Sequence, residues 1–377
     1  MYNSKSTMFN SKLFLNFFND KTDFLDSFFN KNLYYKIAHY SQQDKIDEVK
    51  NWYKSERLVF VLGAGTSIDY GLPSWDELLQ KLFLLTIKSD NDSQKDNKSS
   101  VLARTFNSVF EPSSLISARY LHSYFKKNNP NSTVAFEKSI RDVLYENIDK
   151  NLKDSDLLKE IRQFCIAAGR SPNLDSIITY NYDDIIEECL RNIDVDIPFT
   201  PIHARGMNYK KNQLPIYHVH GYLPRQGKLT SKNKVVLSEN GYHQQYTDTY
   251  GWSNLIQINK FKDYNCLFIG VSFSDPNLRR LLDIAKNERG DDEIHHFCLK
   301  KRYDKKKVKK ELEKLLSEDP RLLDEKQRAN IELDDVVNDL IKLMQKFEEN
   351  DAISFGVGLI WVDDYNEIPL ILKNIRE

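Results

Sequence analysis

The chain has 377 residues, 40% hydrophobic and 12% aromatic, with 54 Lys and Arg against 55 Asp and Glu for a formal net charge of −1 at pH 7. That length carries one large domain with additions or two domains, and the aromatic content excludes a disordered chain. The charge balance excludes a global field for binding nucleic acid or an anionic membrane.

Residues 1–55 read as a helical segment, because apolar residues recur at helical spacing through Phe14, Phe17, Phe18, Phe24, Phe28 and Phe29. So many Phe side chains either pack on the main body or form an interface between subunits. The pattern leaves both open. The apolar run from Leu13 to Phe18 is too short to span a membrane, and Asp20 and Lys21 follow it at once. It has neither a basic leader nor a small-residue cleavage site, so the chain is read as cytoplasmic.

Leu58 to Leu62 is a continuous apolar run, expected of a strand buried on both faces. The turn after it, Gly63-Ala64-Gly65-Thr66-Ser67, keeps the first two glycines of a G-x-G-x-x-G nucleotide turn but has Ile68 in place of the third. Gly63 permits a tight turn, Gly65 lets a phosphate approach backbone N–H groups, and Thr66 and Ser67 offer hydroxyl donors. A small third residue is needed where a helix starts at once. Ile68 therefore predicts a longer excursion, through Gly71 and Pro73, before a helix over about 75–87 capped by Ser74 and Glu77. A polar loop or lid follows over 88–100. Residues 101–168 read as mostly helical with a break near 128–132, making a helical insertion over about 88–170.

Strand patterns resume at 176–179, 216–219, 235–237, 266–271, 296–299 and 357–362. Helical patterns separate them at 183–191 and 253–261, from Ser274 onward, at 305–349 and at 368–375. The alternation predicts an α/β fold, a Rossmann-like parallel sheet with helices on both faces and a ligand at the carboxyl ends of its strands. Residues 56–377 form this domain, including a charged helical stretch over about 303–349. The basic run from Leu299 to Lys310 is followed by acidic residues and is read as a solvated helix face, so direct nucleic-acid binding is not expected. Cys165, Cys189, Cys266 and Cys298 lack zinc-site spacing, so no metal is predicted, and they read as buried apolar groups in a reducing compartment.

Three further stretches carry chemistry, each at the carboxyl end of a predicted strand: "ITYNYDD" from Ile178, "IYHVHGYLP" from Ile216 and "LFIGVSFSDPNLRRLL" from Leu267. With the glycine turn and Gly71-Leu72-Pro73, this ordered set resembles the SIR2 (sirtuin) superfamily. Thr179-x-Asn181-x-Asp183, His220-Gly221 and Gly270-x-Ser272 are the matching motifs. The resemblance covers about residues 57–290, with a weaker echo at "GLIWVDDY" from Gly358. The interval between His220 and Gly270 contains only Cys266, so the four-cysteine zinc module of the deacetylases is missing. The pattern is similar to the zinc-less SIR2-like proteins of bacterial anti-phage systems.

The resemblance implies NAD+ as substrate, cleaved to nicotinamide and ADP-ribose. It implies a cofactor cradle of Gly63, Ala64, Gly65, Thr66, Ser67, Pro73, Gly270 and Ser272. It also implies a switch by a partner protein, such as an ATPase or sensor, in a homo-oligomeric assembly. A protein deacylase or ADP-ribosyltransferase, and a silent NAD or ADP-ribose sensor, stay open. Asn181 can donate and accept at a ribose hydroxyl or a water, and His220 can accept a proton near neutral pH. Asp183 can stabilise positive charge, hold Asn181, or cap the helix beside it. His218 is expected to point to the opposite face from His220 and to be structural, while His203, His295 and His296 are expected to be structural or solvent-facing. Ser274 or Asp275 is expected to cap the next helix, with Pro276 in its first turn.

Overall fold

A computed structural model describes residues 40–89, 114–148, 155–166, 173–191, 197–291, 293–318 and 333–377. The Phe-rich run and most of the polar loop at 88–100 lie outside these residues. Seven strands form one sheet: β1 (Leu58–Leu62), β2 (Leu174–Thr179), β3 (Phe199–Ile202), β4 (Leu214–His218), β5 (Asn265–Ile269), β6 (His296–Lys301) and β7 (Val357–Val362). Every pairing is parallel, in the spatial order β3-β4-β2-β1-β5-β6-β7.

All five residues of β1 are buried, because helices cover both faces of the sheet. Leu58, Phe60 and Leu62 enter one core and Val59 and Val61 the other, as the two-residue period of a strand requires. The first core is built with α1 (Gln42–Lys54), α2 (Trp75–Ser89), α3 (Ser114–Asn128), α4 (Ala135–Leu144), α5 (Asp156–Cys165), α6 (Ile185–Arg191) and α12 (Glu367–Arg376). The second is built with α8 (Trp252–Asp263), α9 (Pro276–Arg289) and α11 (Leu333–Ser354). Burying one large apolar side chain contributes about 1.5–3 kcal/mol, so side chains such as Phe60, Phe164 and Phe268, under 2% exposed, anchor the two layers.

From β1 the chain steps to β2 on one side and later returns to β5 on the other. The strand order reverses beside β1, and the crevice at such a point is where open α/β sheets bind ligands. The α/β expectation holds, and so do most element positions. The break foreseen in the insertion falls at residues 129–134, between α3 and α4.

One expected strand is corrected, and two elements were not foreseen. In the charged stretch the described residues form α10 (Lys305–Glu318) and α11, which runs on to Ser354. Residues 235–237 form no strand; they cross the top of β4, where the Val236 N–H donates to the His220 carbonyl at 2.7 Å. Strand β3 and helix α7 (Glu239–Thr247) had no sequence signal strong enough to find. Pro201 breaks the apolar pattern of β3, and an edge strand tolerates it because one side of its ladder needs no donor.

The basic run after β6 is matched by acids: Lys301 pairs with Asp364, Arg302 with Asp363 and Lys309 with Asp334. The four cysteines are buried and none is in a disulfide. No helix among the described residues is long and apolar enough to cross a membrane.

Candidate active site

The chain leaves β1 at Gly63 and makes two short 3-10 turns, Ala64–Thr66 and Ile68–Tyr70, before α2. Ile68 is 56% exposed, so no close helix contact demands a small residue there. The capping box at Ser74 and Glu77 is present, with both reciprocal bonds made. Gly63 and Gly65 pack backbone against backbone on Gly270 at the end of β5. A Cβ on Gly63 would lie 2.5 Å from the Gly270 carbonyl oxygen, and one on Gly65 would lie 2.7 Å from the Gly270 Cα. The Gly65 N–H donates to that same carbonyl at 3.2 Å. The first duty of these glycines is to let two strand ends meet. Ala64 and Gly65 are nonetheless exposed, as is Ser272, so this seam is open to a ligand, while Pro73 is half-buried nearby in the chain.

The hydroxyls of Thr66 and Ser67 turn inward, which differs from their expected role as outward donors. Thr66 donates to the Gly63 carbonyl at 2.9 Å, and Ser67 donates to Asp183 Oδ1 at 3.2 Å. Between them sits Asn181. Its amide Nδ2 lies 3.1 Å from the Gly63 carbonyl, 3.2 Å from Thr66 Oγ1 and 3.1 Å from Ser67 Oγ. Both donor hydrogens are therefore committed to the glycine turn, which leaves the amide oxygen as the acceptor for chemistry. The loop after β1 and the loop after β2 are tied together through this one side chain.

Asp183 is 6% exposed and accepts from Ser67 and from the Ile185 N–H at 3.1 Å, where α6 begins. Of its three candidate roles, these contacts are those of a helix-start residue that also holds Asn181 through Ser67. Burial pushes its carboxyl up to about 6, against the pull of those two donors.

His218 ends β4 with no exposure. Its Nε2 lies 2.6 Å from Glu187 Oε1 on α6, and its Nδ1 lies 3.2 Å from the Asn181 carbonyl. It shares no partner with His220. The reason is not strand alternation, which puts residues two apart on the same face. The strand ends at His218, and His220 sits in the turn beyond it, where Gly221 has φ 114 and a Cβ added to it would lie 2.2 Å from the Lys234 carbonyl oxygen.

His220 is 4% exposed. Tyr180 meets it edge-on at 4.7 Å between ring centroids and Tyr242 of α7 at 5.8 Å. Its Nε2 lies 3.3 Å from Asp275 Oδ2, off-axis for a hydrogen bond. Burial lowers its pKa and the Asp275 carboxylate partly restores it, so the ring is a neutral proton acceptor near pH 7. Asp275 also caps α9, as expected, and Ser272 shares a 2.6 Å hydroxyl contact with Ser274.

Glu187, Tyr180 and Tyr242 were missed by sequence reasoning. Glu187 had a signal: it is an acid four residues after Asp183, on the same face of the helix start. Three further histidines make contacts away from these groups. His296 is fully buried and accepts from the Cys266 N–H at 3.1 Å, His203 stacks on Tyr222 at 4.9 Å, and His295 pairs with Asp291 at 2.8 Å. Among the described residues no group of three or more His, Cys, Asp or Glu is arranged to hold a metal ion.

Residues 175–320 match the family model described as a SIR2-like domain. Three curated relatives, each called NAD(+) hydrolase ThsA, are similar over most of the chain. The Enterococcus faecium protein is 24% identical over 322 residues, covering 84% of this chain and 54% of its own length. That of Acinetobacter baumannii (strain 532279) is 22% identical, covering 90% of this chain and 57% of its own length. That of Bacillus cereus (strain MSX-D12) is 22% identical, covering 85% and 54%. The chain thus spans little more than half the length of the relatives it matches.

Proposed function

We propose that this chain, which carries a SIR2-like domain, is an NAD+ glycohydrolase that cleaves NAD+ to nicotinamide and ADP-ribose. The observation that carries the reading is that Asn181, in the loop after β2, holds the Gly63 carbonyl of the glycine turn, while His220, in the turn after β4, lies against Asp275 in the loop that follows Gly270. The names of the relatives support it.

The chemistry suits these groups. The bond from ribose to the pyridinium nitrogen breaks with its electron pair going to nicotinamide, which leaves neutral and needs no acid. The ribose carries the positive charge until water adds, and the water's proton passes to His220. The Asn181 amide oxygen accepts from a ribose hydroxyl or from that water. Fixing both partners removes an entropic barrier. The exposed backbone at Ala64 and Gly65, with Gly270, Ser272 and Pro73, supplies the surface for the pyrophosphate. Thr66, Ser67 and Asp183 act through Asn181.

The wider reading is a cytoplasmic NAD-depleting effector of bacterial anti-phage defence, held in a homo-oligomer and switched by a partner or trigger. Residues 56–377 serve as one SIR2-like Rossmann unit with its insertion, and residues 1–55 as a packing or assembly segment. The test follows nicotinamide release from NAD+ by the pure full-length protein, alone and with candidate triggers. Asn181→Ala and His220→Ala are each expected to lower turnover by roughly 10²- to 10⁴-fold with the fold intact. Wild-type turnover in either variant refutes the site. Consumption only with acyl-peptide makes the protein a deacylase, and NAD+ binding without release makes it a sensor.

A further inference from the structure

Asp275 does more than cap a helix. Its Oδ1 accepts the Leu278 N–H at 2.8 Å, the N-cap bond of α9. Its Oδ2 faces the other way, accepting from the Tyr242 hydroxyl at 2.8 Å and lying 3.3 Å from His220 Nε2. That nitrogen makes no hydrogen bond although the ring is almost fully buried. The titratable groups facing His220 are Tyr180 after β2, Tyr242 on α7 and Asp275 at the head of α9. Of these only Asp275 brings a negative charge, since burial holds both phenols well above their usual range.

The loop that delivers Asp275 is strained. Phe273 has φ 57, a left-handed conformation that a bulky side chain rarely adopts, and it is locked by a ring contact with Phe268 at 5.0 Å. A relaxed backbone there would aim residues 274 and 275 elsewhere. The strain is kept where it places one carboxylate between a helix end and an imidazole.

We infer that Asp275 is the positioning residue for His220, orienting its ring and stabilising the imidazolium formed when the ring takes a proton, with the Tyr242 hydroxyl fixing the carboxylate. The inference rests on the reading of His220 as proton acceptor. It separates two duties of one side chain. Capping α9 needs only an oxygen acceptor, which Asn supplies as well as Asp. Serving His220 needs the negative charge.

The carboxylate raises the proton affinity of His220 against burial. Asp275→Asn therefore lowers the His220 pKa, and the acid limb of kcat/KM for NAD+ moves to lower pH. It also cuts kcat about tenfold to a hundredfold, with KM little changed. Tyr242→Phe keeps the ring but removes the O–H that shares the carboxylate's charge. The His220 pKa then rises, and the limb moves the opposite way. Opposed shifts from two conservative variants are not what a merely structural role produces.

The experiment titrates the His220 ring by NMR in the full-length wild type and both variants without NAD+, and records pH profiles of nicotinamide release for all three. Opposite displacements of the ring titration support the inference. An unmoved His220 in Asp275→Asn overturns it, whether or not NAD+ is cleaved, and so does an acid limb that stays in place. If Asp275→Asn loses its fold, as judged by circular dichroism, Tyr242→Phe decides alone: a raised His220 pKa supports the inference and an unmoved or lowered one overturns it. A wild type that releases no nicotinamide under any trigger removes the hydrolase reading instead, and the ring titrations distinguish that failure from this one.

Discussion

Glu187 and His218 form an ion pair at 2.6 Å in which neither side chain has any exposure. The second ring nitrogen of His218 is 3.2 Å from the Asn181 carbonyl, so both ring nitrogens have oxygen partners, as an imidazolium requires. Burial is the largest influence on this histidine and lowers its pKa. The Glu187 charge, the two hydrogen bonds and Asp183 together outweigh it and leave the pKa raised. The pair connects α6 to the backbone of the residue whose amide holds the glycine turn.

Glu187→Gln is expected to lower stability by about 3–5 kcal/mol, the usual result of leaving one member of a buried pair uncompensated. A histidine whose folded pKa is raised contributes stability that is complete below its unfolded value. That contribution is lost as pH rises through the folded value. Wild type therefore loses stability on the alkaline side of the ordinary histidine range, and the variant follows a flatter curve. Urea unfolding at pH 6 and pH 9 checks both, and equal stability at pH 6 refutes the pair's contribution.

Asp183→Asn is expected to stabilise the protein at pH 8 while weakening catalysis. Burial pushes the carboxyl up to about 6 in the folded chain, from an ordinary 3.8 when unfolded. The folded state then binds more protons between those values, so stability falls as pH rises across that window. The shift corresponds to roughly 3 kcal/mol at most, at about 1.36 kcal/mol per pKa unit. Asn can still accept from the Ile185 N–H and accept or donate at Ser67. Melting curves at pH 4 and pH 8 should converge for the variant. A variant less stable than wild type at pH 8 contradicts the direction.

Much of this site was legible before any coordinates. Strand β1 is buried on both faces and reads as an unbroken apolar run with the glycine turn just past it, and Asn181 and His220 sit just past β2 and β4, whose short apolar stretches were also visible. What the chain does not display is direction. Nothing local tells whether the Thr66 and Ser67 hydroxyls face a phosphate or turn back to Asn181, because contacts 114 and 115 residues apart decide it. Residues 235–237 look like a strand but make one backbone bond to the His220 turn in place of a strand ladder, and β3 hides behind Pro201. Asp275 reads as a cap from its place before Pro276, while its second oxygen finds its partners only in three dimensions.

Gly270→Ala should be far more damaging than Gly206→Ala, although both glycines have positive φ, at 69 and 79. Either substitution costs about 1–2 kcal/mol for the left-handed backbone. At Gly206 nothing lies within 4 Å of the new methyl, whereas at Gly270 it meets the Thr66 nitrogen at 2.8 Å. That clash separates β1 from β5 at the seam. Thermal melts rank the two variants, and nicotinamide release should vanish only for Gly270→Ala. Equal losses in both refute the packing role of the seam.

Binding and chemistry should come apart at His220. In the proposed reaction the ring beyond β4 takes a proton at the reacting sugar, while the exposed residues Ala64 and Gly65 are where a phosphate would rest. His220→Ala should keep its affinity for NAD+ and lose turnover. Ligand at a hundred times its Kd stabilises the folded state by about 2.7 kcal/mol, a rise of a few degrees in Tm for a chain of this size. Asn181→Ala should lose part of that rise as well as turnover, because its amide also orders Gly63, Thr66 and Ser67. Thermal shift with NAD+, read beside nicotinamide release, makes the comparison. If His220→Ala loses the Tm rise completely, the imidazole is part of the binding surface rather than the proton acceptor, and the division of labour between the two loops is wrong.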